Sequence, residues 1–352
     1  MTYKKMKSEE KLNRILSNTL DEPFLIAEIG QSHEGSLGQA MHMIESSAAN
    51  GADAVKFQTH IAEEESSKYD EFRVRTFPQD ETRYDYWKRI EFNQKEWIML
   101  SKHAKDNGIL FLSSPFSIKS VDILEKCNIS AWKIASGELG NLPMIEKILD
   151  TKKPMLISTG MSSWKEIDDI YEISNGRKRA IFQCTTEYPS SPLTLGLNNI
   201  KNLKDRYKDV VIGLSDHSGE IYPSIAAFTL GARIFEVHVT WTKDMFGPDV
   251  SASLDFDQLN LLSESLRNLS LAINNPVDKD RISNEKSSLS KLFGRGIYAK
   301  KDIKKGKKIS FNDLSFLKPK KGVLAENYHK IIGLNTKKAI KKGEPILWGD
   351  LT

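Results

Sequence analysis

Residues 210–241, VVIGLSDHSGEIYPSIAAFTLGARIFEVHVTW, consist of two apolar, β-branched runs on either side of a short stretch with helical character. A strand–helix–strand unit sets its two strands parallel, so their C-terminal ends meet at the same end of a sheet. Each run carries one histidine near that end, His217 and His238. Two imidazoles at one rim predict a divalent-metal site, and a histidine packed in a loop is the alternative for either residue.

The same alternation of apolar runs and helical stretches continues through the chain from Phe24. It predicts strands at FLIAEIG (24–30), AVKFQTH (54–60), ILFLSSPF (109–116), AWKIASGE (131–138), PMLISTG (154–160), AIFQCTTEYP (180–189), VVIGLSDHS (210–218) and RIFEVHVT (233–240). Eight strands alternating with helices over about 250 residues favour a (β/α)8 TIM barrel, which we place at residues 21–276. A doubly wound open sheet is the alternative, but the Gly-rich phosphate fingerprint that usually accompanies it is missing from the sequence.

Three segments stand outside this alternation. Residues 1–20 predict an N-terminal extension with a short amphipathic helix, and the polar residues 277–292 predict a linker. Residues 61–95 form a long insertion between the second and third strands, dense in Arg, Tyr, Trp and acidic residues. Because loops that follow barrel strands lie on the catalytic face, this insertion predicts a lid over the substrate.

The last segment, residues 293–352, predicts a small, mainly β domain. Its sequence KDIKKGKKISFNDL (301–314) returns as KAIKKGEPILWGDL (338–351), which indicates two copies of one β-turn unit. Residues 285–352 hold 17 Lys and Arg against 6 Asp and Glu, whereas the remaining residues hold 34 against 41. A domain this small is marginally stable alone, so we expect it to dock on an acidic barrel of the same or a partner chain. Without interleaved aromatic residues, the basic segment does not favour nucleic acid.

Composition limits the class of protein. Hydrophobic residues make up 39% and charged residues 28% of the chain, as in globular proteins with a large core. No apolar run approaches the roughly 18 residues of a membrane span, and the charged N-terminus lacks a signal-peptide segment. The only cysteines, Cys127 and Cys184, indicate a reducing compartment. We therefore expect a cytoplasmic protein with no membrane partner.

Polar side chains stand at the C-terminal end of every predicted strand. They are Glu28, Lys56, Gln58, Ser113, Ser114, Lys133, Ser136, Glu138, Ser158, Thr159, Thr185, Thr186, Tyr188, Ser215, Asp216, His217, Glu236 and His238. A single hydroxyl would be more typical of a turn cap, but recurrence at one end of all eight strands favours a site. Lysines inside apolar runs are costly unless an anion meets them, although an interfacial lysine can extend its ammonium to water.

These residue types suit a particular chemistry. Serines and threonines at the starts of loops can complete a cradle for phosphate or carboxylate together with backbone N–H groups. Two histidines can hold a metal, and Glu28, Glu138 and Asp249 are available as acid/base groups. The pattern therefore predicts a site for a small phosphorylated anion beside a second substrate that a metal polarises.

Nine motifs stand in order along the chain: AEIGQSHEGS, GADAVKFQTH, SSPFS, KIASGE, LISTGMSS, QCTTEYP, IGLSDHS, EVHVT and GPDVSAS. Together they resemble the sialic acid synthase family, and the resemblance covers residues 20–352, including the family's C-terminal antifreeze-like domain. The resemblance implies an enzyme that condenses phosphoenolpyruvate with an N-acylated mannose-type sugar and water, giving a nonulosonic acid and phosphate. It also implies a homodimer in which each small domain caps the barrel of the partner chain.

The resemblance assigns roles to individual positions. His217 and His238 are implied to bind Mn²⁺ or Mg²⁺, and Glu28, Glu138 and His238 are the implied catalytic residues. The implied phosphoenolpyruvate site consists of Lys56, Gln58, Ser114, Lys133, Ser136, Ser158, Thr186 and Ser215, with Thr186 standing where family members often carry Asn. Tyr188 and Asp249 are implied to face the sugar.

The sequence departs from the family pattern at positions that concern the sugar. Ser32 replaces an Asn before the motif histidine, and Lys318 replaces an Arg that reaches the sugar in the neighbouring subunit. Lysine cannot reproduce the planar fork of arginine, so this contact is expected to differ. The insertion at 61–95 lacks the family's Asn-containing segment. Its candidate sugar-binding residues are Arg73 and Tyr84, followed by Arg75, Arg83, Tyr86 and Trp87.

Several functions remain open at this point. The enzyme could use N-acetylmannosamine, or a 2,4-diacetamido-6-deoxy sugar that leads to legionaminic or pseudaminic acid. A related synthase acting on a phosphorylated sugar is a second enzymatic alternative. A non-catalytic sugar- or ice-binding protein on the same scaffold is the alternative from another class, and the intact set of Glu28, Lys133, His217 and His238 argues against it.

Overall fold

The computed structural model describes residues 6–352, and the chain divides into two compact units, Met1–Asn274 and Asn275–Thr352. The first five residues of the predicted N-terminal extension lie outside the described residues. None of the helices in the described range is both long enough and apolar enough to cross a membrane.

The first unit is built around parallel strands. They are β1 Phe24–Gly30, β2 Ala54–Thr59, β3 Leu110–Pro115, β4 Trp132–Ile134, β5 Met155–Ser158, β6 Arg179–Cys184, β7 Val211–Asp216, β8 Ile234–Val239 and a short β9 Ser253–Leu254. The hydrogen-bonded order is β3-β2-β1-β8-β7-β6-β5-β4, with β9 added to β8. Strands β3 and β4 approach each other, although no ladder joins them within residues 6–352. The result is a nearly closed eight-stranded barrel, which confirms the predicted fold class.

Helices alternate with these strands. They are α1 Ser8–Leu16, α2 Leu37–Ala49, α3 Ala62–Glu65, α4 Arg83–Ile90, α5 Gln94–Asp106, α6 Ile118–Lys126, α7 Leu142–Asp150, α8 Trp164–Ile173, α9 Asn198–Arg206, α10 Tyr222–Leu230 and α11 Phe256–Asn274. The predicted lid, residues 61–95, contains α3 and α4. Several helices begin at side-chain caps; for example, Asn93 accepts from the backbone N–H groups of Lys95 and Glu96 before α5.

The observed strands are mostly shorter than predicted at their C-terminal ends. The largest difference is in strand four, where β4 stops at Ile134 and Ser136–Glu138 forms a 3₁₀ turn. Glu138 therefore lies in a turn after the strand, and the prediction that it ends the strand itself is wrong.

The barrel interior is apolar at its N-terminal end. Phe24 of β1, Leu156 of β5 and Ile234 of β8 point inward there, and α1 closes the opening with Leu12 and Ile15. A further contact fixes α1, because the ammonium of Lys11 lies 2.8 Å from the carboxylate of Asp53. The amphipathic helix predicted in residues 1–20 thus serves as the floor of the barrel.

The second unit is small and mainly β. Its elements are α12 Lys279–Glu285, α13 Ser287–Phe293, β10 Gly296–Ala299, β11 Leu314–Leu317 and α14 Tyr328–Ile331, with 3₁₀ turns at Phe311–Asp313 and Trp348–Asp350. Strands β10 and β11 pair antiparallel. The segment predicted as a linker, 277–292, contains two short helices and groups with this unit. The predicted boundaries at 276 and 293 stay a prediction.

The internal repeat has a structural counterpart. Ile303 of the first copy and Ile340 of the second exchange backbone hydrogen bonds of 2.8 and 2.9 Å. An ion pair recurs at equivalent places: the ammonium of Lys301 lies 3.0 Å from Asp313, and that of Lys338 lies 2.9 Å from Asp350. Both copies therefore form the same turn, closed by the same lysine–aspartate pair.

Candidate active site

Strand alternation determines which side chains enter the barrel. In β4, Trp132 and Ile134 pack against the helices, so Lys133 between them points into the interior. In β8, Phe235 and Val237 pack outward in the same way, which turns Glu236 and His238 inward. Above the apolar floor, the interior at the C-terminal end of the barrel is consequently lined by charged and polar groups.

Two lysines and two glutamates form a buried ion cluster at this end. The ammonium of Lys56 lies 2.7 Å from Glu28 Oε2 and 3.6 Å from Glu236 Oε1. The ammonium of Lys133 lies 3.2 Å from the same Glu236 oxygen, to which Ser215 Oγ donates at 3.2 Å. All four charged side chains are almost completely buried, at 0–3% exposure. Their charges balance, which is the condition for burying them together.

The two lysines differ in electrostatic environment. Burial alone would lower the pKa of Lys56, but the charges of Glu236 and Glu28 outweigh burial and raise that pKa. Burial lowers the pKa of Lys133 in spite of the opposing effect of Glu236. Neighbouring carboxylates therefore stabilise the charged form of Lys133 less than that of Lys56. A bound anion would add the negative charge that stabilises the Lys133 ammonium.

Each lysine also donates to a serine. Lys133 Nζ donates to Ser158 Oγ at 2.7 Å, and Lys56 Nζ donates to Ser114 Oγ at 3.3 Å. Ser158 ends β5 and Ser114 is the penultimate residue of β3, so ammonium and hydroxyl donors from adjacent strands face the same space. This arrangement can bind the oxygen atoms of a phosphate or carboxylate group.

A second set of donors surrounds Gly160. Its backbone N–H donates to Ser136 Oγ at 2.9 Å. A Cβ atom at Gly160 would lie 2.4 Å from Thr186 Oγ1 and 3.0 Å from Cys184 Sγ, so only glycine leaves this space open. The predicted residues Ser136 and Thr186 are therefore brought together around a backbone N–H.

The two predicted metal-binding histidines are neighbours. The ring centroids of His217 and His238 are 5.2 Å apart. His217 Nδ1 lies 2.7 Å from the carbonyl oxygen of Thr185 and donates to it, which leaves the Nε2 lone pair available. Burial and the nearby His238 lower the pKa of His217 to about 3, so its ring is neutral, as a metal ligand must be.

The donor set fits an open metal site. Within residues 6–352, no three His, Cys, Asp or Glu side chains are arranged to hold an ion. The protein would therefore supply two imidazole nitrogens and leave the other ligand positions to water or substrate oxygens, as catalytic sites do. Gly30 adjoins the pair with a positive φ of 53°, and a Cβ atom there would lie 3.4 Å from both Glu28 Oε1 and His238 Nδ1. Glu28 and His238 thus flank the same point.

A stacked group leads from the histidines to the lid. The Tyr188 ring stacks on His217 with centroids 4.1 Å apart, and the guanidinium of Arg73 lies 4.1 Å from the Tyr188 centroid. Arg73 donates to Asp249 Oδ1 at 2.5 Å. Burial, followed by Cys184 and Asp249, raises the pKa of Tyr188, which stays a neutral hydroxyl. Three residues predicted to contact the sugar, Tyr188, Arg73 and Asp249, therefore lie together beside the two histidines.

Three other predicted residues have different surroundings. Tyr84 packs in the hydrophobic cluster of the lid itself, with Trp87 and Ile90. Glu138 accepts from Asn141 Nδ2 at 2.9 Å, and burial, opposed by that hydrogen bond, raises its pKa. Lys318 is exposed in the second unit, where its ammonium lies 5.5 Å from the Phe293 centroid.

Some residues at the site had no role assigned from the sequence. Glu236 is the centre of the ion cluster, and it shares the inward face of β8 with His238, two residues away. The two-residue spacing from His238 could have placed Glu236 on the same face of the strand. Gln31 and His60 also belong to the site through hydrogen bonds to Gln58, and only their position inside two motifs could have indicated them.

Comparison with known proteins places this geometry in context. A model of the NeuB family matches residues 43–278, and a model of the SAF domain matches residues 294–352. The N,N'-diacetyllegionaminic acid synthase of Campylobacter jejuni is 36% identical, over 93% of this chain and 99% of that protein. The human N-acetylneuraminate-9-phosphate synthase is 31% identical, over 92% and 91% respectively. A crystal structure of the N-acetylneuraminic acid synthetase of Leptospira borgpetersenii superposes with a TM-score of 0.67 at 27% identity, covering 76% of this chain and 92% of that one.

Proposed function

Because the chain belongs to the NeuB family, whose members are phosphoenolpyruvate-condensing nonulosonate synthases, we propose that it joins phosphoenolpyruvate to an N-acylated mannose-type sugar. The products are a sialic-acid-like nonulosonic acid and phosphate. The observation that carries the proposal is the buried cluster of Lys133, Lys56, Glu236 and Glu28 beside the two histidines. It combines donors for a phosphorylated anion with a carboxylate that can move a proton.

The reaction balances with these groups in place. C3 of phosphoenolpyruvate bonds to the aldehyde carbon of the open-chain sugar, and the aldehyde oxygen takes up a proton. Water adds to C2 and loses a proton, and the C–O bond to phosphate then breaks. A divalent ion bound by His217 and His238 would supply Lewis-acid polarisation.

The chain's own residues perform the remaining tasks. Lys133 and the hydroxyls of Ser158 and Ser136 hold the anion in place, and the Gly160 N–H orients Ser136 by donating to its Oγ. Glu28 holds or releases a proton at its Oε1 atom, where the Gln58 amide donates at 2.9 Å. The lid excludes bulk water from the site.

The charges of the lid support a sugar without a phosphate group. Three of its four arginines meet carboxylates: Arg73 with Asp249 at 2.5 Å, Arg83 with Asp70 at 3.3 Å and Arg89 with Asp80 at 2.7 Å. The fourth, Arg75, donates to the backbone carbonyl of Asp80 at 3.2 Å, so it is the lid arginine with which a phosphorylated sugar would have to pair. N-acetylmannosamine and a 2,4-diacetamido-6-deoxy sugar are the two candidates, and the similarity to a legionaminic acid synthase supports including the second.

Phosphate release tests the proposal. We expect the purified protein with Mn²⁺ to release phosphate from phosphoenolpyruvate only when one of these sugars is added, in preference to a 6-phosphorylated derivative. With ¹⁸O in the bridging oxygen of phosphoenolpyruvate, the label should appear in phosphate, because the C–O bond breaks. Absence of release with every sugar would refute the synthase function for this chain, and preference for the phosphorylated derivative would refute the choice of sugar.

The metal pair can be tested separately from activity. We expect His217→Ala to weaken Mn²⁺ binding by about 100-fold, since one of two nitrogen ligands is lost. The measurement is titration of free Mn²⁺ by electron paramagnetic resonance, with thermal unfolding as the check on folding. His329→Ala, at an exposed histidine of the second unit, is the matched control. Equal affinity of His217→Ala and the control would exclude His217 as a ligand.

We further propose that the enzyme is a domain-swapped homodimer in the cytoplasm, in which the second unit of one chain covers the barrel of its partner. Two observations support the dimer: the basic charge of residues 285–352, and the exposed side chains of Phe311, Tyr328 and Trp348 in that unit. Lys318, also exposed there, would then reach the sugar site of the partner. A lysine gives a single point contact in place of a planar fork.

A further inference from the structure

The side chain of Gln58 forms hydrogen bonds that connect the lid with the ion cluster. Its Nε2 donates to Glu28 Oε1 at 2.9 Å. Its Oε1 faces His60 Nε2 at 3.1 Å and accepts from Gln31 Nε2 at 3.3 Å. Gln31 is oriented in turn by the lid, because Tyr86 of α4 donates its hydroxyl to Gln31 Oε1 at 3.1 Å.

This pattern fixes the orientation of the Gln58 amide. A reversed amide would set its oxygen against the Glu28 carboxylate and its NH₂ group against that of Gln31. Both contacts would be repulsive while Glu28 is ionised, so the observed orientation is the only one that satisfies all partners. The amide N–H that faces Glu28 therefore depends on what holds the amide oxygen on the other side.

His60 holds that oxygen with a donor. Its Nε2 faces Gln58 Oε1, and its Nδ1 lies 2.7 Å from Glu65 Oε1. Because Gln58 Oε1 is an acceptor, His60 Nε2 carries the proton of this hydrogen bond, and Nδ1 forms the second hydrogen bond with Glu65. Glu65 thus helps to hold the His60 ring in place, and His60 in turn orients Gln58.

The ring of His60 also connects the lid to the barrel. It lies between Trp87 of α4, with centroids 3.8 Å apart and planes at 15°, and Phe116, which follows β3, at 4.4 Å and 18°. Glu65 is the last residue of α3. Both lid helices therefore contact one buried histidine, which is 6% exposed.

We propose that His60 is a positioning residue that couples the packing of the lid to the orientation of Glu28. When α3 and α4 pack on the barrel, Glu65 and Trp87 hold His60, His60 holds Gln58, and Gln58 donates to Glu28. Loss of the lid contact frees the Gln58 amide to rotate, and Glu28 loses its aligned donor. This inference rests on the proposed function, since it concerns the orientation of the carboxylate that handles protons in that reaction.

The experiment removes the ring nitrogens of His60 and keeps an aromatic ring between Trp87 and Phe116. We expect His60→Phe, whose ring still fits between Trp87 and Phe116, to lower kcat by up to about 100-fold with little change in KM for phosphoenolpyruvate. We expect His60→Phe combined with Gln58→Leu to be no slower than Gln58→Leu alone, because His60 acts through Gln58. The control is His103→Phe, at a histidine that faces Glu45 at 3.0 Å outside the site.

Two results would overturn the inference. One is a His60→Phe enzyme with wild-type kcat. The other is full additivity of the His60 and Gln58 substitutions, which would mean that they act separately. A purely structural role would lower the thermal unfolding temperature without this split between kcat and KM.

A spectroscopic measurement separates this inference from the proposed function. In protein labelled with ¹⁵N-histidine, we expect a protonated Nε2 for His60, identified by the loss of its signal in His60→Phe. An Nε2 without a proton would overturn the inference even in a fully active enzyme. If the wild-type protein released no phosphate with any sugar, the proposed function would fail, and the nitrogen signals would still decide how His60 is held.

Discussion

Replacement of Lys133 with methionine is expected to lower kcat/KM by about 1,000-fold or more. Methionine has a similar length but no charge, and Lys133 is the buried cation least compensated by the protein. Its ammonium donates to Ser158 at 2.7 Å and lies 3.2 Å from Glu236. Without it the site loses the donor placed for the anion of phosphoenolpyruvate, and steady-state kinetics together with calorimetric binding of phosphoenolpyruvate would measure the loss.

The same substitution leaves Glu236 with less positive charge around it, and breaking a buried pair can cost about 3–5 kcal/mol of stability. A second variant, Lys133→Met with Glu236→Gln, keeps the cluster neutral because Lys56 still pairs with Glu28. We expect it to fold and to remain inactive. Recovery of activity in this double variant would show that Lys133 only balances charge. Lys153→Met, at a partly exposed lysine paired with Glu125, is the matched control.

Replacement of Glu28 with glutamine is expected to lower kcat by about 100- to 10,000-fold, with a small effect on KM. Glutamine fills the same space but cannot take up or release the proton that the reaction moves. The carboxylate is completely buried, lies 2.7 Å from the Lys56 ammonium and accepts from Gln58. Rapid-quench measurement of product formation in a single turnover would assign the loss to the chemical step.

Glu138→Gln is the informative comparison, because the sequence assigned a catalytic role to both carboxylates. Glu138 lies in the 3₁₀ turn after β4 and accepts from Asn141 at 2.9 Å. We therefore expect this variant to retain most of its activity. An equal loss in both variants would mean that the two glutamates share the proton-handling role, and a larger loss in Glu138→Gln would reverse the assignment.

The fold was predictable because its signals are local. Each strand alternates side chains between helices and interior, and turns or helix caps separate the strands, so the eight-stranded barrel follows from the pattern. The repeat in the second unit was visible as a repeated string and proved to be a repeated turn. The two short helices at 279–293 were missed because they are almost entirely exposed, and a helix without an apolar stripe has no periodic signature.

The site was predictable to the extent that its residues stand at strand ends. Lys56, Lys133, His217 and His238 met that criterion, and the structure brings them to one place. Glu236 also stands at a strand end, but it received no role, since the sequence does not show which residues of β2, β4 and β7 meet it. The role of His60 could not be predicted for the same reason, because its ring neighbours, Trp87 and Phe116, are remote in sequence.

The floor helix α1 has a consequence for rearranging the chain. The inner apolar layer at the lower end of the barrel is completed by Leu12, Ile15 and Leu16, which come from a segment outside the strand–helix alternation. A circular permutation or a domain fusion that separated this helix from Phe24 would therefore leave a hydrophobic cavity open to water. Joining points after α11 would keep floor and wall on one continuous piece. The smallest part of the chain that keeps this apolar layer closed is accordingly the barrel together with α1.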